Sequence, residues 1–156
     1  TRRTLLANTL VLIVNREHPA PIVTAADLAN AAVRRVAIGA PRTVPAGTYA
    51  KAWLDANDLW DHVAPKTIPL DNVRSVLAAV AAGNANAGIV YATDAATSDK
   101  VTNMVTLSPD AAFEITYPAA VVKASTQPAE AKALLAFLAG PEAQAVFARH
   151  GFLSPE

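Results

Sequence analysis

Two loops in the sequence could bind an anion through main-chain amides. They are residues 44–47 (VPAG) and 70–73 (LDNV), and each stands at the start of a predicted helix. The first N–H groups of a helix have no partner within it, and the positive end of the helix dipole lies behind them. Pro45 fixes φ and has no N–H of its own, which directs the amides of Ala46 and Gly47 outward. Such donors suit a tetrahedral dianion, although any single loop of this kind is more often an ordinary helix start.

A third candidate donor is the hydroxyl of Tyr91. This residue ends the apolar run 87–91 (AGIVY), which predicts a buried strand. A tyrosine at the carboxyl end of such a strand can point into a ligand crevice. Alternatively, its ring packs in the core and its hydroxyl bonds to the backbone. The residue by itself favours neither interpretation.

The sequence offers no catalytic or metal-binding pattern. Cysteine is absent, which excludes disulfides, thiolate metal sites and cysteine nucleophiles. The three histidines follow no metal-ligand spacing, and Asp58, Asp61 and His62 are typical of a solvated helix face. No nucleophile elbow, zinc-protease motif or glycine-rich nucleotide loop is present. We therefore expect a protein that is not an enzyme, with no cofactor and no metal cation as a direct ligand.

Composition narrows the class of partner. The 156 residues include 13 basic and 13 acidic side chains, and this balance argues against nucleic-acid binding, which normally requires a basic excess. The chain is 53% hydrophobic and 17% charged, as expected of a folded protein. No apolar stretch is long enough to span a bilayer.

The elements that would position the candidate donors can be predicted from apolar periodicity and turn signals. Strands are predicted at 9–15, 35–39, 66–69 and 87–91, and 101–107 and 113–122 look extended. Helices are predicted over 48–56, over 127–138 and from 141 to about 150, and residues 5–7 also look helical. Three further helices are predicted from their N-caps: one after Thr24, one from Asp71 to Gly83, and one after Thr93–Asp94.

This alternation predicts an α/β fold with a mostly parallel sheet flanked by helices. Ligands of such sheets bind where the carboxyl ends of strands meet the starts of helices. Both amide-bearing loops and Tyr91 fall at such positions.

The sequence resembles the periplasmic molybdate-binding proteins of ABC transporters over essentially its whole length. The segments that carry the resemblance are VPAGTYAKAWLDANDLWDHVAPK, DNVRSVLAAV, AGIVYATDA, ITYPAAVV and LLAFLAGPEAQAVFARHGF, in this order. The resemblance implies a type II periplasmic-binding-protein fold whose two lobes close on molybdate or tungstate through neutral donors. Carried onto this sequence, the donors of the second lobe are the amides of Ala46 and Val73 and the hydroxyl of Tyr91, with Gly47 and Asn72 in support.

The resemblance also implies an incomplete first lobe. Members of the family begin with two serine-bearing loops that this sequence lacks, so about the N-terminal third of the family's length is missing. We expect residues 8–118 to form the second, ligand-binding lobe, and residues 1–7 and 119–156 to be remnants of the first. The helix at 127–138 would then expose an apolar face, which predicts self-association or repacking. Without the serine donors, the chain is expected to bind molybdate weakly or not at all.

The function implied by the resemblance is that of the substrate-binding component of an ABC importer. Such a protein delivers molybdate or tungstate to a membrane permease, and its mature form is periplasmic and has no signal peptide. Two alternatives remain open: a receptor for another small anion such as sulfate, phosphate or a carboxylate, and an enzyme or regulator that reuses the fold.

Overall fold

The computed structural model of the chain describes residues 2–108 and 113–155. These residues divide into two units. The described parts of Thr1–Asn8 and Glu114–Glu156 form the terminal unit, and those of Thr9–Phe113 form the central unit. The segment 114–118, expected to belong with the ligand-binding lobe, lies in the terminal unit because its strand pairs with the first strand of the chain.

The secondary structure alternates between strands and helices, as expected. In chain order the strands are β1 (Arg3–Asn8), β2 (Leu10–Asn15), β3 (Val36–Gly39), β4 (Thr67–Leu70), β5 (Ala87–Tyr91), β6 (Val101–Leu107) and β7 (Ile115–Ala119). The helices are α1 (Pro45–Ala56), α2 (Trp60–Val63), α3 (Val73–Ala81), α4 (Ala92–Ala95), α5 (Pro128–Leu138) and α6 (Pro141–Arg149), with 3-10 turns at Ala25–Ala29 and Ala64–Lys66.

The sheet of the central unit is mixed. Within the described residues its strand order is β4-β3-β5-β2-β6. Strand β3 pairs in parallel with β4 and β5, whereas β2 is antiparallel to both β5 and β6. The expectation of a mostly parallel sheet therefore holds for β3, β4 and β5, whose connections contain the helices that parallel neighbours require. Strand β2 begins two residues after β1 ends, so no helix precedes it as one precedes β4 and β5.

Burial of apolar side chains on both faces of the sheet forms the core of the central unit. Leu12 and Ile13 of β2 are fully buried, as are Val76 and Val80 of α3. A Cβ added to Gly88 would lie 2.8 Å from Cγ2 of Val80 and 3.0 Å from Cγ1 of Val76. Helix α3 therefore packs directly on the backbone of β5, which fixes the start of α3 relative to the end of that strand.

The terminal unit contains an antiparallel pair of strands, β1 and β7. The prediction that residues 5–7 are helical is wrong, because these residues pair with a strand more than 100 positions later in the chain. The backbone of Ala7 also exchanges hydrogen bonds with Leu153, at 2.8 and 2.9 Å. The rings of Tyr117 and Phe152 pack edge to face with centroids 5.5 Å apart.

Helix α5 of the terminal unit buries none of its residues. The side chains of Leu134 and Phe137 are 59% and 55% exposed. An apolar groove of about 250 Å³ runs beside the helix and is lined by residues 119–122 and by Ser125, Ala131, Leu134, Leu135 and Leu138. We call this surface the α5 groove. In the described part of the chain, no helix has both the length and the apolar character needed to cross a membrane.

Candidate functional site

The candidate donors lie at one edge of the central sheet. Strands β3, β4 and β5 run in the same direction, so their carboxyl ends share an edge. Gly39, the last residue of β3, pairs with Leu70, the last residue of β4. Just beyond the strands, the amide of Ala40 donates a hydrogen bond of 2.8 Å to the carbonyl of Leu70. The starts of α1, α3 and α4 therefore gather where the three strands end.

Helix α1 begins with two amides that make no hydrogen bond to the described residues. Val44 is its extended N-cap residue and Pro45 its first residue. The amide of Thr48 donates to the carbonyl of Val44 at 3.0 Å. Across residues 2–108 and 113–155, no acceptor forms a hydrogen bond with the amides of Ala46 and Gly47. Ala46 is only 1% exposed, so among the described residues its N–H is an unpaired donor on a buried residue.

Gly47 allows the start of α1 to pack closely against the end of β3. A Cβ at this position would lie 1.9 Å from the carbonyl oxygen of Gly39. A Cβ on Gly39 would in turn lie 2.6 Å from Cγ1 of Val44. Any side chain at Gly47 would therefore separate the start of α1 from the end of β3. The backbone of β3 occupies the space beside Gly47.

Helix α3 is capped by Asn72. Its side-chain oxygen accepts a hydrogen bond of 2.9 Å from the amide of Ser75. The predicted cap, Asp71, is wrong: β4 ends at Leu70, and the exposed Asp71 precedes the cap rather than forming it. In the part of the chain that the structure describes, the amide of Val73 has no acceptor.

Tyr91 joins β5 to α4. It is the last residue of the strand, pairs with Leu10 of β2 and is the N-cap residue of α4. It is half-buried. The predicted cap at Thr93–Asp94 is wrong, because both residues lie inside α4. Asp94 lies three residues after the N-cap residue Tyr91, and a hydrogen bond from the backbone N–H of Tyr91 acts to lower the pKa of the Asp94 carboxyl group.

Asp94 is electrostatically linked to the start of α3. Burial raises the pKa of its carboxyl group above the ordinary value, and the nearby Arg74 and the hydrogen bond from Tyr91 partly offset this effect. Arg74 follows Val73 directly in the first turn of α3. The proximity of Arg74 and Asp94 was not predicted from the sequence. Its one local signal is the position of Asp94, three residues after the end of a strand.

Polar side chains also line other cavities of the central unit; Arg16, Asp99 and Asn103 contribute to one of about 620 Å³. Asp55, Asp58, Trp60, Asp61 and His62 line a small cavity of about 150 Å³. No group of three or more histidine, aspartate or glutamate side chains in the described part of the chain is placed to hold a metal ion.

Comparisons with known proteins give a consistent set of relatives. The family model of the bacterial extracellular solute-binding proteins matches residues 1–153. The molybdate-binding protein ModA of Escherichia coli is 38% identical, over 97% of this chain and 60% of its own length. YvgL of Bacillus subtilis, a lipoprotein assigned as the substrate-binding component of an ABC transporter, is 38% identical over 95% of this chain and 56% of its own length.

A solved structure extends the comparison to three dimensions. It is the substrate binding domain assigned to a molybdenum ABC transporter of Clostridium difficile, with a TM-score of 0.92 and 33% identity. The match covers 100% of this chain and 67% of that one. The chain has the periplasmic-binding-protein-like α/β fold, and it spans 56% to 60% of the length of the two curated relatives named above.

Proposed function

Because the chain belongs to the family of bacterial extracellular solute-binding proteins, we propose that it is part of a receptor that binds molybdate or tungstate for an ABC importer. The relatives are named as solute-binding transport proteins and not as enzymes. In this proposal the protein acts in the periplasm and delivers its oxyanion to a membrane permease. The central unit is the ligand-binding lobe, and the terminal unit is part of the other lobe.

The observation that carries the proposal is the unpaired amide of the buried Ala46. A buried N–H without an acceptor costs about 1–3 kcal/mol. The oxygen of a bound anion would supply the acceptor. The amide of Val73 lies at the same sheet edge and also has no acceptor in the described residues. Two helix starts of this kind at one edge suit an anion better than a neutral solute.

We assign three direct donors to the oxyanion: the amides of Ala46 and Val73 and the hydroxyl of Tyr91. All three are uncharged, so the dianion would be held by hydrogen bonds and helix dipoles. Gly47 supports the site by letting α1 approach β3, and Asn72 supports it by capping α3. A hydrogen bond to a charged group contributes roughly 1.5–3 kcal/mol, so each donor accounts for about 10- to 100-fold in affinity.

The alternative receptor, for sulfate, phosphate or a carboxylate, would use the same amides. Size and protonation state of the anion would then decide between ligands. A titration of the isotope-labelled chain with molybdate, tungstate, sulfate, phosphate and acetate, followed by amide NMR shifts, separates the candidates and tolerates weak binding. We expect molybdate and tungstate to shift the amides of Ala46, Gly47 and Val73 at lower concentrations than the other anions. A stronger response to sulfate or phosphate would replace the proposed ligand.

The assignment of Ala46 is tested by Ala46→Pro, which deletes its N–H. We expect the dissociation constant for molybdate to rise by about 10- to 100-fold. Ala129→Pro is the matched control, because Ala129 also follows the first-turn proline of its helix, is exposed and lies in the terminal unit. Equal affinities of the two variants, with both folded by circular dichroism, would remove Ala46 from the site.

A further inference from the structure

We infer that Asn15 is a positioning residue for the proposed anion site. Its side-chain amide restrains α3 along the helix axis, and so sets the position of the Val73 amide at the other end of that helix. The effect on ligand binding rests on the proposed function, whereas the contact with α3 does not. Asn15 acts through α3 and is not itself assigned a contact with the anion.

The contact joins the end of β2 to the end of α3. Asn15 is the last residue of β2, and its Nδ2 donates hydrogen bonds to the carbonyl of Val80 at 3.2 Å and to that of Ala81 at 3.0 Å. These two residues are the last of α3. The final carbonyls of a helix have no partner within it. A side chain of the sheet therefore supplies donors that the helix itself lacks.

The turn after β2 holds the oxygen of the same amide group. This oxygen accepts hydrogen bonds of 2.9 Å from the backbone N–H groups of Glu17 and His18. A flipped amide would set its NH2 group against these two donors and its oxygen against two carbonyls. Only one orientation is compatible with all four contacts, so the donors of the half-buried Asn15 are directed at α3.

These hydrogen bonds add a restraint that the apolar contacts of α3 do not provide. Val76 and Val80 are fully buried and pack over Gly88, which lets α3 lie close to β5. Burial of apolar surface is not directional, whereas a hydrogen bond depends on both distance and angle. The carbonyls of a helix lie nearly parallel to its axis, so the bonds from Asn15 restrain α3 along that axis.

A restraint at the end of α3 also acts at its start. Val73 is the first residue of this nine-residue helix, and it lies about 12 Å from the last one at a rise of 1.5 Å per residue. The hydrogen bonds within the helix make it move as a unit. Its N–H groups also point along the axis. An axial displacement of α3 would therefore carry the Val73 amide directly toward or away from a bound anion.

The first experiment needs no ligand and uses an isosteric variant. Asn15→Asp keeps an oxygen for the turn and loses both donors to α3. Asn86→Asp is the matched control, because the side-chain oxygen of Asn86 accepts from the backbone N–H groups of Arg34 and Arg35 at 3.0 and 2.9 Å. Asn86 directly precedes β5, beside the end of β2. The control thus adds the same charge at the same edge and keeps its acceptor.

Hydrogen exchange and amide NMR shifts measure the result in both variants. We expect the amides at the end of α3 to exchange about 10-fold faster in Asn15→Asp, as for the loss of two hydrogen bonds. The Val73 amide signal should also move in the absence of any anion. Asn86→Asp should leave both observations unchanged. An Asn15→Asp chain in which α3 exchanges as in wild type, or in which the Val73 signal stays in place, overturns the restraint.

The second experiment measures molybdate affinity by amide NMR shifts in the same variants and in Asn15→Ala, which carries no added charge. Both Asn15 variants should bind about 2- to 10-fold more weakly, since a displaced donor loses part of a bond that contributes about 10- to 100-fold. At saturation, the shift that molybdate induces at Val73 should shrink, while that at Ala46 on α1 is retained. Weakening in Asn15→Ala alone would assign the effect to the turn after β2 and contradict the positioning role.

The two experiments fail separately. If Asn15→Asp loosens α3 but molybdate shifts no amide of the wild-type site, the proposed ligand is wrong and the restraint on α3 stands. If molybdate binds at Ala46 and Val73 in the wild-type chain and with equal affinity in both Asn15 variants, the proposed function stands and the positioning role is wrong.

Discussion

Two aspartates at the same position relative to a helix N-cap have pKa values shifted in opposite directions. Asp27 follows its N-cap residue, Thr24, by three positions, as Asp94 follows Tyr91. The carboxylate of Asp27 accepts the amides of Val23 and Thr24 at 2.9 and 2.8 Å. At Asp27 the hydrogen bonds from Thr24 and Val23 outweigh the effect of burial and lower its pKa. At Asp94, burial outweighs a similar bond and raises the pKa.

The difference predicts opposite effects of the same substitution on stability. The contribution of Asp27 is present at neutral pH and is lost as the pH falls through its lowered pKa, so Asp27→Asn should destabilise the chain at neutral pH. The ionised Asp94 opposes folding once the pH rises through its raised pKa, so Asp94→Asn should stabilise the chain at neutral pH. In acid both effects should vanish.

Urea unfolding of each variant at neutral and acid pH measures these effects. Asp99→Asn is the control, since Asp99 is an exposed aspartate in the same unit. A loss of stability in Asp94→Asn at neutral pH would mean that the charge of Asp94 is worth more to the fold than its burial costs.

At the scale of elements, local patterns predicted most of the central unit. The β-branched runs predicted β2 and β5. The periodic apolar residues predicted α3, and Gly83 predicted where this helix ends. Gly83 has a φ of +73°, as expected of a glycine that follows a helix. Strand β1 was not predictable in this way, because its conformation depends on pairing with the distant β7. The choice between Asp71 and Asn72 as the cap also depended on where β4 ends.

The contact between α3 and β5 gives an element-scale prediction. Gly88→Ala should destabilise the chain by about 1–3 kcal/mol, since its Cβ would meet Val80 at 2.8 Å and Val76 at 3.0 Å. In the double variant Gly88→Ala/Val80→Ala, the smaller side chain on α3 should recover part of that loss. The cycle is measured by chemical denaturation.

A purely additive double variant would show that the cost of Gly88→Ala does not arise from its contact with Val80. In that case this contact would not set the position of Val73 relative to the end of β5. A positive coupling of the kind expected would make Gly88 one of the residues that hold the candidate site in shape.

At the scale of the whole molecule, the sequence predicted the positions of the candidate donors but not the charged residues near them. The sequence placed Ala46, Val73 and Tyr91 after separate strands, and the parallel order of β3, β4 and β5 brings those strand ends to one edge. Their role as donors to an oxyanion stays a prediction. The link between Arg74 and Asp94 could not be predicted, because the residues lie on different helices and only the packing of α3 beside α4 brings them near each other.

The exposed α5 groove leads to the last prediction. Leu134 and Phe137 remain open to solvent. For the 156-residue chain we propose that a second copy covers the groove, since two such apolar faces bury each other. Sedimentation velocity should show a concentration-dependent dimer.

The double variant Leu134→Ser/Phe137→Ser should shift that equilibrium to the monomer, because it removes the two large apolar side chains that α5 exposes. Lys132→Ser on the same helix is the control and should leave the dimer intact if apolar contact drives association. A wild-type chain that stays monomeric at high concentration would contradict the predicted dimer and show that the α5 groove stays exposed to solvent. Equal dissociation by both variants would point to a charged contact instead of an apolar one.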